Sequence, residues 1–254
     1  MLLAVLLLAG CGSADTAPSP AAAGTGPSDD PTGTVTVFAA ASLTGAFTEI
    51  GERFEADHPG VTVVLSFGAS SGLAQQVVAG APADVFAAAS PATMQVVTDA
   101  GDAADPQVFV RNRLQIAVPP DNPGGVTGLA DFGRPELTLA LCAEQVPCGA
   151  AAAAVFAAIG IEPAPDTLEQ DVKAALSKVL LGEVDAALVY RTDVLAAGTD
   201  VRGLSFPEAD RAVNDYPLVA LSGAPNPVAA DAFVAHVLSD EGQQVLADAG
   251  FDRP

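Results

Sequence analysis

From residue 33 to the end of the chain, short apolar strands alternate with helix-forming segments, and only short turns separate them. Residues 34–37 and 61–65 are typical of strands, whereas residues 43–54 carry apolar side chains at helical spacing. This alternation predicts an α/β protein in which a parallel or mixed sheet is covered by helices on both faces. In such sheets, ligands bind at the carboxyl ends of the strands, where the helices begin.

Local signals predict where further helices start. Thr167 and Gln170 have the spacing of a capping box, ahead of a helix with apolar side chains from residue 172 to residue 180. An Ala-rich helix is expected to follow Gly149 and to end at Gly160. The last stretch, residues 227–249, is expected to be helical with a break near Ser239.

Hydroxyl side chains stand at two of the strand-to-helix turns. Ser42 lies in Phe-Ala-Ala-Ala-Ser-Leu after the first strand, and Ser70 lies in Phe-Gly-Ala-Ser-Ser-Gly after the second. A helix start carries unpaired N–H groups and a partial positive charge, so two starts aimed at one point form an anion site without any charged side chain. Either serine alone indicates an ordinary N-cap, but an N-cap and an anion donor share the same geometry.

The charge of the chain narrows the classes of partner. Lys and Arg number 10 against 31 Asp and Glu, which gives a formal net charge of -21. Nucleic-acid binding and electrostatic docking on an anionic membrane both need basic patches, so neither is expected. An anionic ligand would meet an unfavourable long-range field, and its site must therefore act through local, preorganised dipoles.

The first ten residues form an apolar run that is too short to span a bilayer and is typical of an export signal. The run ends in Leu-Ala-Gly followed by Cys11, the pattern of a bacterial lipobox, in which the peptide is cut before the cysteine and the thiol receives a lipid. We therefore predict a lipoprotein signal peptide over residues 1–10 and a flexible tether over residues 11–32. The folded part would then be held at the outer face of the cell membrane through the lipid on Cys11 alone. The alternative is a plain secretory signal with an unmodified cysteine.

Cys142 and Cys148, the two remaining cysteines, lie close together in the sequence. Because exported proteins face an oxidising compartment, this closeness favours a disulfide over two free buried thiols. Neither histidine, His58 or His236, is near the pair, so a zinc site is not predicted.

Several short motifs, taken in their order and spacing, resemble the periplasmic molybdate-binding proteins, which are the capture subunits of ABC importers. The motifs are Thr-Val-Phe-Ala-Ala-Ala-Ser-Leu at 36–43, Phe-Gly-Ala-Ser-Ser-Gly-Leu-Ala-Gln-Gln at 67–76, Gly-Ala-Pro-Ala-Asp-Val-Phe at 80–86, Val-Pro-Cys-Gly at 146–149, Asp-Val-Lys at 171–173 and Val-Tyr-Arg-Thr-Asp at 189–193. Each motif alone is weak, but together they cover nearly all of the chain from residue 33. The resemblance implies a two-lobed periplasmic-binding-protein type II fold with a hinge between the lobes, and a transport protein rather than an enzyme.

The resemblance also implies which residues bind the oxyanion. Ser42 and Ser70 would donate hydrogen bonds from the first lobe. Cys148 and Val172 would each donate a main-chain N–H, and Tyr190 would donate its phenol O–H. Many members of the family have Ala where Cys148 stands, but a main-chain donor does not depend on the side chain. The ligand would be molybdate or tungstate, and no cofactor is implied.

The chemistry of these donors limits the ligand, because none of the five positions is Asp or Glu. A partly protonated anion such as hydrogen phosphate needs an acceptor for its proton, so a site made only of donors favours a fully deprotonated tetrahedral dianion. Molybdate, tungstate and sulfate fit this description, and the cavity radius that separates them is not visible in the sequence. Arg111 and Arg191 are expected at the surface or in ion pairs between the lobes.

The resemblance divides the chain into lobe 1, residues 33–113 with 207–254, and lobe 2, residues 114–206, joined by two crossovers that act as a hinge. The closed, ligand-bound form would dock as a monomer on a membrane ABC permease. One alternative is a binding protein for another ligand such as sulfate, phosphonate or ferric ion, although iron sites usually use several tyrosines and only Tyr190 and Tyr216 exist here. The others are an exported hydrolase, for which the chain has no Gly-x-Ser-x-Gly elbow, and a sensory or adhesive module of the same fold.

Overall fold

The computed structural model describes residues 30–254, so the expected signal peptide, the lipidation site Cys11 and the tether up to residue 29 lie outside the described residues. The strands are β1 (Gly33–Ala40), β2 (Val61–Gly68), β3 (Val85–Ala87), β4 (Gln107–Asn112), β5 (Leu114–Val118), β6 (Leu139–Cys142), β7 (Thr167–Glu169), β8 (Ala186–Tyr190), β9 (Arg202–Leu204) and β10 (Asn214–Ala220). The α-helices are α1 (Thr44–Asp57), α2 (Ser70–Val78), α3 (Pro91–Asp99), α4 (Pro147–Ile159), α5 (Val172–Leu180), α6 (Arg191–Ala197), α7 (Pro227–Leu238) and α8 (Asp240–Asp248). Among residues 30–254, no helix has the length and apolar character that crossing a membrane requires.

The strands form two sheets with the same internal pattern. The first sheet has the order β2-β1-β3-β10-β4, and the second has the order β7-β6-β8-β5-β9. In each sheet the first three strands are parallel and the remaining two are antiparallel to their neighbours. The α/β class predicted from the alternation of strands and helices is confirmed.

Each sheet has its own apolar core. The core of the first sheet contains Phe47 and Phe233, whose ring centroids lie 6.1 Å apart between α1 and α7. The core of the second sheet contains Phe132 and Phe156, with ring centroids 5.7 Å apart. Most other core positions are Ala, Val and Leu, and each core holds the strand ends of its own sheet in place.

The chain passes between the sheets twice, once from β4 to β5 and once from β9 to β10. Arg113, in the first crossover, pairs with Asp210 in the second and, through Nε, with Oδ2 of Asp252 at 3.0 Å. Arg191 pairs with the same carboxylate, with 2.9 Å between its Nη2 and Oδ1 of Asp252. Partial burial alone would raise the pKa of Asp252, but the two guanidinium groups outweigh burial and hold that pKa below its ordinary value.

Two local predictions are wrong. Thr167 does not cap a helix, because it pairs with Ala140 as part of β7. The N-cap of α5 is Asp171, whose Oδ1 accepts a hydrogen bond from the N–H of Ala174 at 2.9 Å. Helix α4 begins at Pro147 rather than after Gly149, since the fixed φ of proline and its missing N–H suit the first helical position. The short helix α6 has no counterpart among the predictions.

Candidate anion-binding site

A small cavity lies between the two sheets, at the carboxyl ends of the parallel strands. Residues 40–42, 68–70 and 89 follow or end β1, β2 and β3, whereas residues 146–148, 171–172 and 190 follow or end β6, β7 and β8. The cavity leaves about 20 Å³ for the centres of water-sized atoms, and one water needs about 10–15 Å³ by the same measure. The space suits a small inorganic ion rather than an organic metabolite.

All five residues expected to bind an oxyanion border this cavity. They are Ser42, Ser70, Cys148, Val172 and Tyr190. Each is buried, and each lies at or just after the carboxyl end of a parallel strand. The fold therefore brings together five positions that are far apart in the sequence, without any of them being charged.

Ser70 is the first residue of α2, and its hydroxyl does not cap that helix. The N-cap is Ala69, and Ser70 Oγ instead accepts a hydrogen bond from the main-chain N–H of Ala89 at 3.0 Å. A main-chain N–H can only donate, so this bond occupies a lone pair of the hydroxyl and leaves its proton for another acceptor. The interpretation of Ser70 as an ordinary N-cap is wrong, and its hydroxyl proton is available to an acceptor in the cavity.

Ser42 lies in the single 3-10 turn, residues 41–43, that leads from β1 into α1. Its Oγ is 2.9 Å from the Oη of Tyr216 in β10. Local sequence patterns did not indicate this partner, since Tyr216 stood out only as one of the two tyrosines of the chain. The signal that could have found it is a lone Tyr within an apolar strand, since a buried Tyr O–H usually has a hydrogen-bond partner.

The second sheet faces the cavity with the first turns of two helices. Pro147 occupies the first position of α4, so the N–H of Cys148 is the first that this helix offers. Val172 is the first residue of α5, and the first N–H groups of a helix have no acceptor within it. Asp171 also borders the cavity, but its carboxylate accepts the hydrogen bond from the N–H of Ala174.

The start of α4 is tied to the end of β6. Cys142 and Cys148 form a disulfide. A Cβ atom at Gly149 would collide with the main-chain oxygen of Ala143, so only glycine allows the helix to approach the preceding loop this closely. The main chain that carries the N–H of Cys148 is thus held both by a covalent bond and by packing.

Tyr190 ends β8 with its side chain 1% exposed. Its hydroxyl is buried and has no hydrogen-bond partner among residues 30–254, and its ring meets that of Tyr216 edge-on at a centroid distance of 6.1 Å. Burial, followed by the nearby Tyr216 and Asp193, raises the pKa of Tyr190 well above its ordinary value. The phenol therefore keeps its proton, and a buried donor of this kind suits an anionic acceptor.

The nearest lysine is neutralised by a buried carboxylate. Nζ of Lys173 lies 3.0 Å from Oδ1 of Asp193, whose side chain is fully buried. The other oxygen of Asp193 accepts a hydrogen bond from the N–H of Tyr190 at 3.1 Å. Burial raises the pKa of Asp193 above its ordinary value, although the Lys173 ammonium opposes it.

The two arginines singled out in the sequence also lie outside the cavity lining. Nε of Arg111 is 2.6 Å from Oδ1 of Asp215, within the first sheet. Arg191 pairs with Asp252 near the crossovers. Arg111 therefore meets the expectation of a surface position and not that of an ion pair between the lobes, because its partner lies in the same sheet. The cavity lining consists of neutral donors and apolar groups apart from the helix-capping Asp171.

Comparisons with known proteins give a consistent picture. Residues 35–252 match the family described as bacterial extracellular solute-binding protein. The chain is 42% identical over 257 residues to the molybdate-binding protein ModA of Mycobacterium tuberculosis, in an alignment that covers 100% of this chain and 97% of that protein.

Solved structures with the same fold include two oxyanion-binding proteins. The periplasmic molybdate-binding protein of Azotobacter vinelandii is similar at a TM-score of 0.74 and 20% identity, over 87% of this chain and 99% of that one. The sulfate-binding protein SubI from Mycobacterium tuberculosis is similar at a TM-score of 0.76 and 18% identity, over 87% of this chain and 86% of that one. At these identities the structural likeness establishes the fold alone.

Proposed function

The chain belongs to the bacterial extracellular solute-binding proteins and, among them, to the molybdate-binding proteins, and on this premise we propose that it captures molybdate in the cavity between its two sheets. It works outside the cytoplasm, delivers its ligand to an ABC permease, and is a transport protein rather than an enzyme. It binds molybdate without a cofactor. The observation that carries the choice of site is that five neutral donor positions border one cavity of ionic size.

In the proposed site, uncharged donors replace the hydration shell of the anion. Ser42, Ser70 and Tyr190 supply O–H groups, and Cys148 and Val172 supply main-chain N–H groups. Hydrogen bonds to a charged acceptor contribute about 1.5–3 kcal/mol each, so several preorganised donors support tight binding without a salt bridge. The dipoles of α4 and α5, whose first turns border the cavity, add to this attraction. These local effects oppose the repulsion expected from a net charge of -21.

The same donors determine which anions compete. Tungstate has the charge and shape of molybdate, and we infer that it binds to the same site. Sulfate has the same charge and a smaller radius, so it would leave some donors too distant for good hydrogen bonds. Hydrogen phosphate carries a proton that meets only donors, which disfavours it for a different reason.

We also propose the arrangement of the lobes. Lobe 1 consists of residues 33–113 with 207–254 and lobe 2 of residues 114–206, and each sheet lies within one of these divisions. The two crossovers would form the hinge, and closure would bury the anion. Ala69, beside Ser70, already packs against the core of the second sheet, which supports a closed arrangement. The lobes would act as a monomer held at the membrane by a lipid on Cys11.

Isothermal titration calorimetry of the purified chain with molybdate, tungstate, sulfate and phosphate tests the proposed ligand. We expect tight binding of molybdate and tungstate, much weaker binding of sulfate, and still weaker binding of phosphate. Tight binding of sulfate with weak binding of molybdate would make the protein a sulfate carrier. Binding of none of the four would overturn the proposed function.

A further inference from the structure

A buried row of polar side chains runs from the first crossover to the cavity. Asn112, the last residue of β4, and Tyr216 in β10 are both 0% exposed, and Ser42 at the cavity is 7% exposed. Nδ2 of Asn112 is 3.4 Å from Oη of Tyr216, which is 2.9 Å from Oγ of Ser42. The three side chains are joined by hydrogen bonds in a region shielded from solvent.

The direction of these hydrogen bonds follows from one main-chain donor. The N–H of Arg113 donates to Oδ1 of Asn112 at 2.9 Å, so the oxygen of that amide must lie on the side of Arg113. The NH₂ group of Asn112 then faces Oγ1 of Thr192 at 2.8 Å and Oη of Tyr216 at 3.4 Å. An amide NH₂ group can only donate, so its two protons are directed to these two acceptors.

The orientation of the Asn112 amide also affects the hydroxyl of Tyr216, which lies beside Ser42. Its Oη accepts from Asn112, so its own proton is available for Oγ of Ser42. Burial raises the pKa of Tyr216 above its ordinary value, which keeps that proton in place. When Tyr216 donates to Oγ of Ser42, the proton of Ser42 goes to a different acceptor, and the cavity is the region that Ser42 borders.

Resting on the proposed function, we propose that Tyr216, oriented by Asn112, is a positioning residue that donates to Oγ of Ser42 and thereby directs the proton of Ser42 to the oxyanion. Ser70 reaches the same state by a different route, since the main-chain N–H of Ala89 occupies its lone pair. Both serines of the site thus offer a proton and have a lone pair already engaged.

Tyr216→Phe separates this role from a structural one. The variant keeps the ring, which packs edge-on against Tyr190 and Phe251, but it releases the lone pair of Ser42. Calorimetric titration with molybdate measures the effect of this change on the site, and the wild-type titration decides the proposed function independently.

A double-mutant cycle with molybdate shows whether Tyr216 acts through Ser42. Tyr216→Phe should lower the molybdate affinity about three- to tenfold in the wild-type background, because Ser42 loses the partner that directs its proton. In a Ser42→Ala background the same substitution should have no further effect. Equal effects in both backgrounds would mean that Tyr216 acts independently of Ser42, which contradicts the proposal.

Discussion

The two sheets face one cavity with the same strand pattern, but they supply their donors in different ways. The first sheet offers the hydroxyls of Ser42 and Ser70, whereas the second offers the first N–H groups of α4 and α5 together with the phenol of Tyr190. A hydroxyl rotates and can donate or accept, so each serine needs a partner that fixes its direction. A main-chain N–H needs no such partner, because the helix itself fixes where it points.

This difference decides where substitutions should matter. On the first-sheet side, each donor is a side-chain hydroxyl, so truncation of the side chain removes the donor. On the second-sheet side, the side chains of Cys148 and Val172 belong to the core of the second sheet, while their proposed function lies in the main chain. Affinity should therefore depend on side-chain identity at Ser42, Ser70 and Tyr190 and largely ignore it at Cys148 and Val172.

Ser70→Ala should cause the largest loss of affinity. It removes a charge-assisted hydrogen bond and leaves the buried N–H of Ala89 without its acceptor. We expect the Kd for molybdate to rise about 10- to 100-fold, which corresponds to about 1.5–3 kcal/mol, and Ser42→Ala to act in the same range. Calorimetric titration of each variant measures the effect.

The matched control is Ser71→Ala, because Ser71 is the sequence neighbour of Ser70 but does not border the cavity. Its affinity for molybdate should stay within about twofold of wild type, as is usual for substitutions away from such features. If Ser42→Ala and Ser70→Ala both resembled this control, the hydroxyls would have no part in the site. The contrast between the two sides of the cavity would then disappear.

Removal of the disulfide should affect stability more than binding. Cys142→Ala with Cys148→Ala lifts a constraint on a short loop of the unfolded chain, and we expect the free energy of unfolding to fall by about 2 kcal/mol. The N–H of Cys148 remains positioned by α4 and by the close packing at Gly149. The molybdate Kd should therefore rise only about two- to threefold, an effect well below 1 kcal/mol.

Urea denaturation and calorimetry of the double variant measure the two effects separately. Wild-type protein treated with a reductant provides the comparison, since reduction opens the same bond without changing any side chain of the core beyond the two thiols. A loss of affinity as large as that of Ser70→Ala would mean that the disulfide, rather than the helix, positions this N–H. The main-chain donor at Cys148 would then depend on its side chain after all.

The difference between side-chain and main-chain donors also explains which parts of the site could be predicted from the sequence. Strand-to-helix alternation predicts the α/β class, and the hydroxyls at the two turns point to Ser42 and Ser70 because a side-chain donor leaves a mark in the sequence. Main-chain donors leave no such mark, so Cys148 and Val172 emerged only through the resemblance of whole motifs. Only the arrangement of the second sheet shows that these two residues follow β6 and β7 at the cavity.

Contacts between residues that are far apart in the sequence could not be predicted from local patterns. Tyr216 contacts Ser42 because β10 belongs to the first sheet, although it follows all strands of the second sheet in the sequence. Thr167 illustrates a competition between local and non-local signals. It has capping-box spacing with Gln170, but it lies in β7, which pairs with β6. The N-cap of α5 is therefore Asp171.

The smallest effect on affinity is expected from Val172→Ala, which tests the main-chain donor directly. The side chain is 3% exposed in the core of the second sheet, so its truncation should lower the free energy of unfolding by about 2 kcal/mol. The N–H at this position is retained, and the molybdate Kd should change less than about twofold, within the error of most titrations. Calorimetry and urea denaturation on the same sample measure both quantities.

Val172→Pro is the counterpart that removes the N–H and keeps the helix. Proline is favoured at the first position of a helix, and Asp171 already has the extended conformation, with ψ 173°, that a residue before proline prefers. If the N–H of Val172 binds the anion, this variant should lose about 10- to 100-fold in affinity, as the serine variants do. Equal affinities of the Ala and Pro variants would remove this N–H from the site, and the second-sheet side would then bind through α4 and Tyr190 alone.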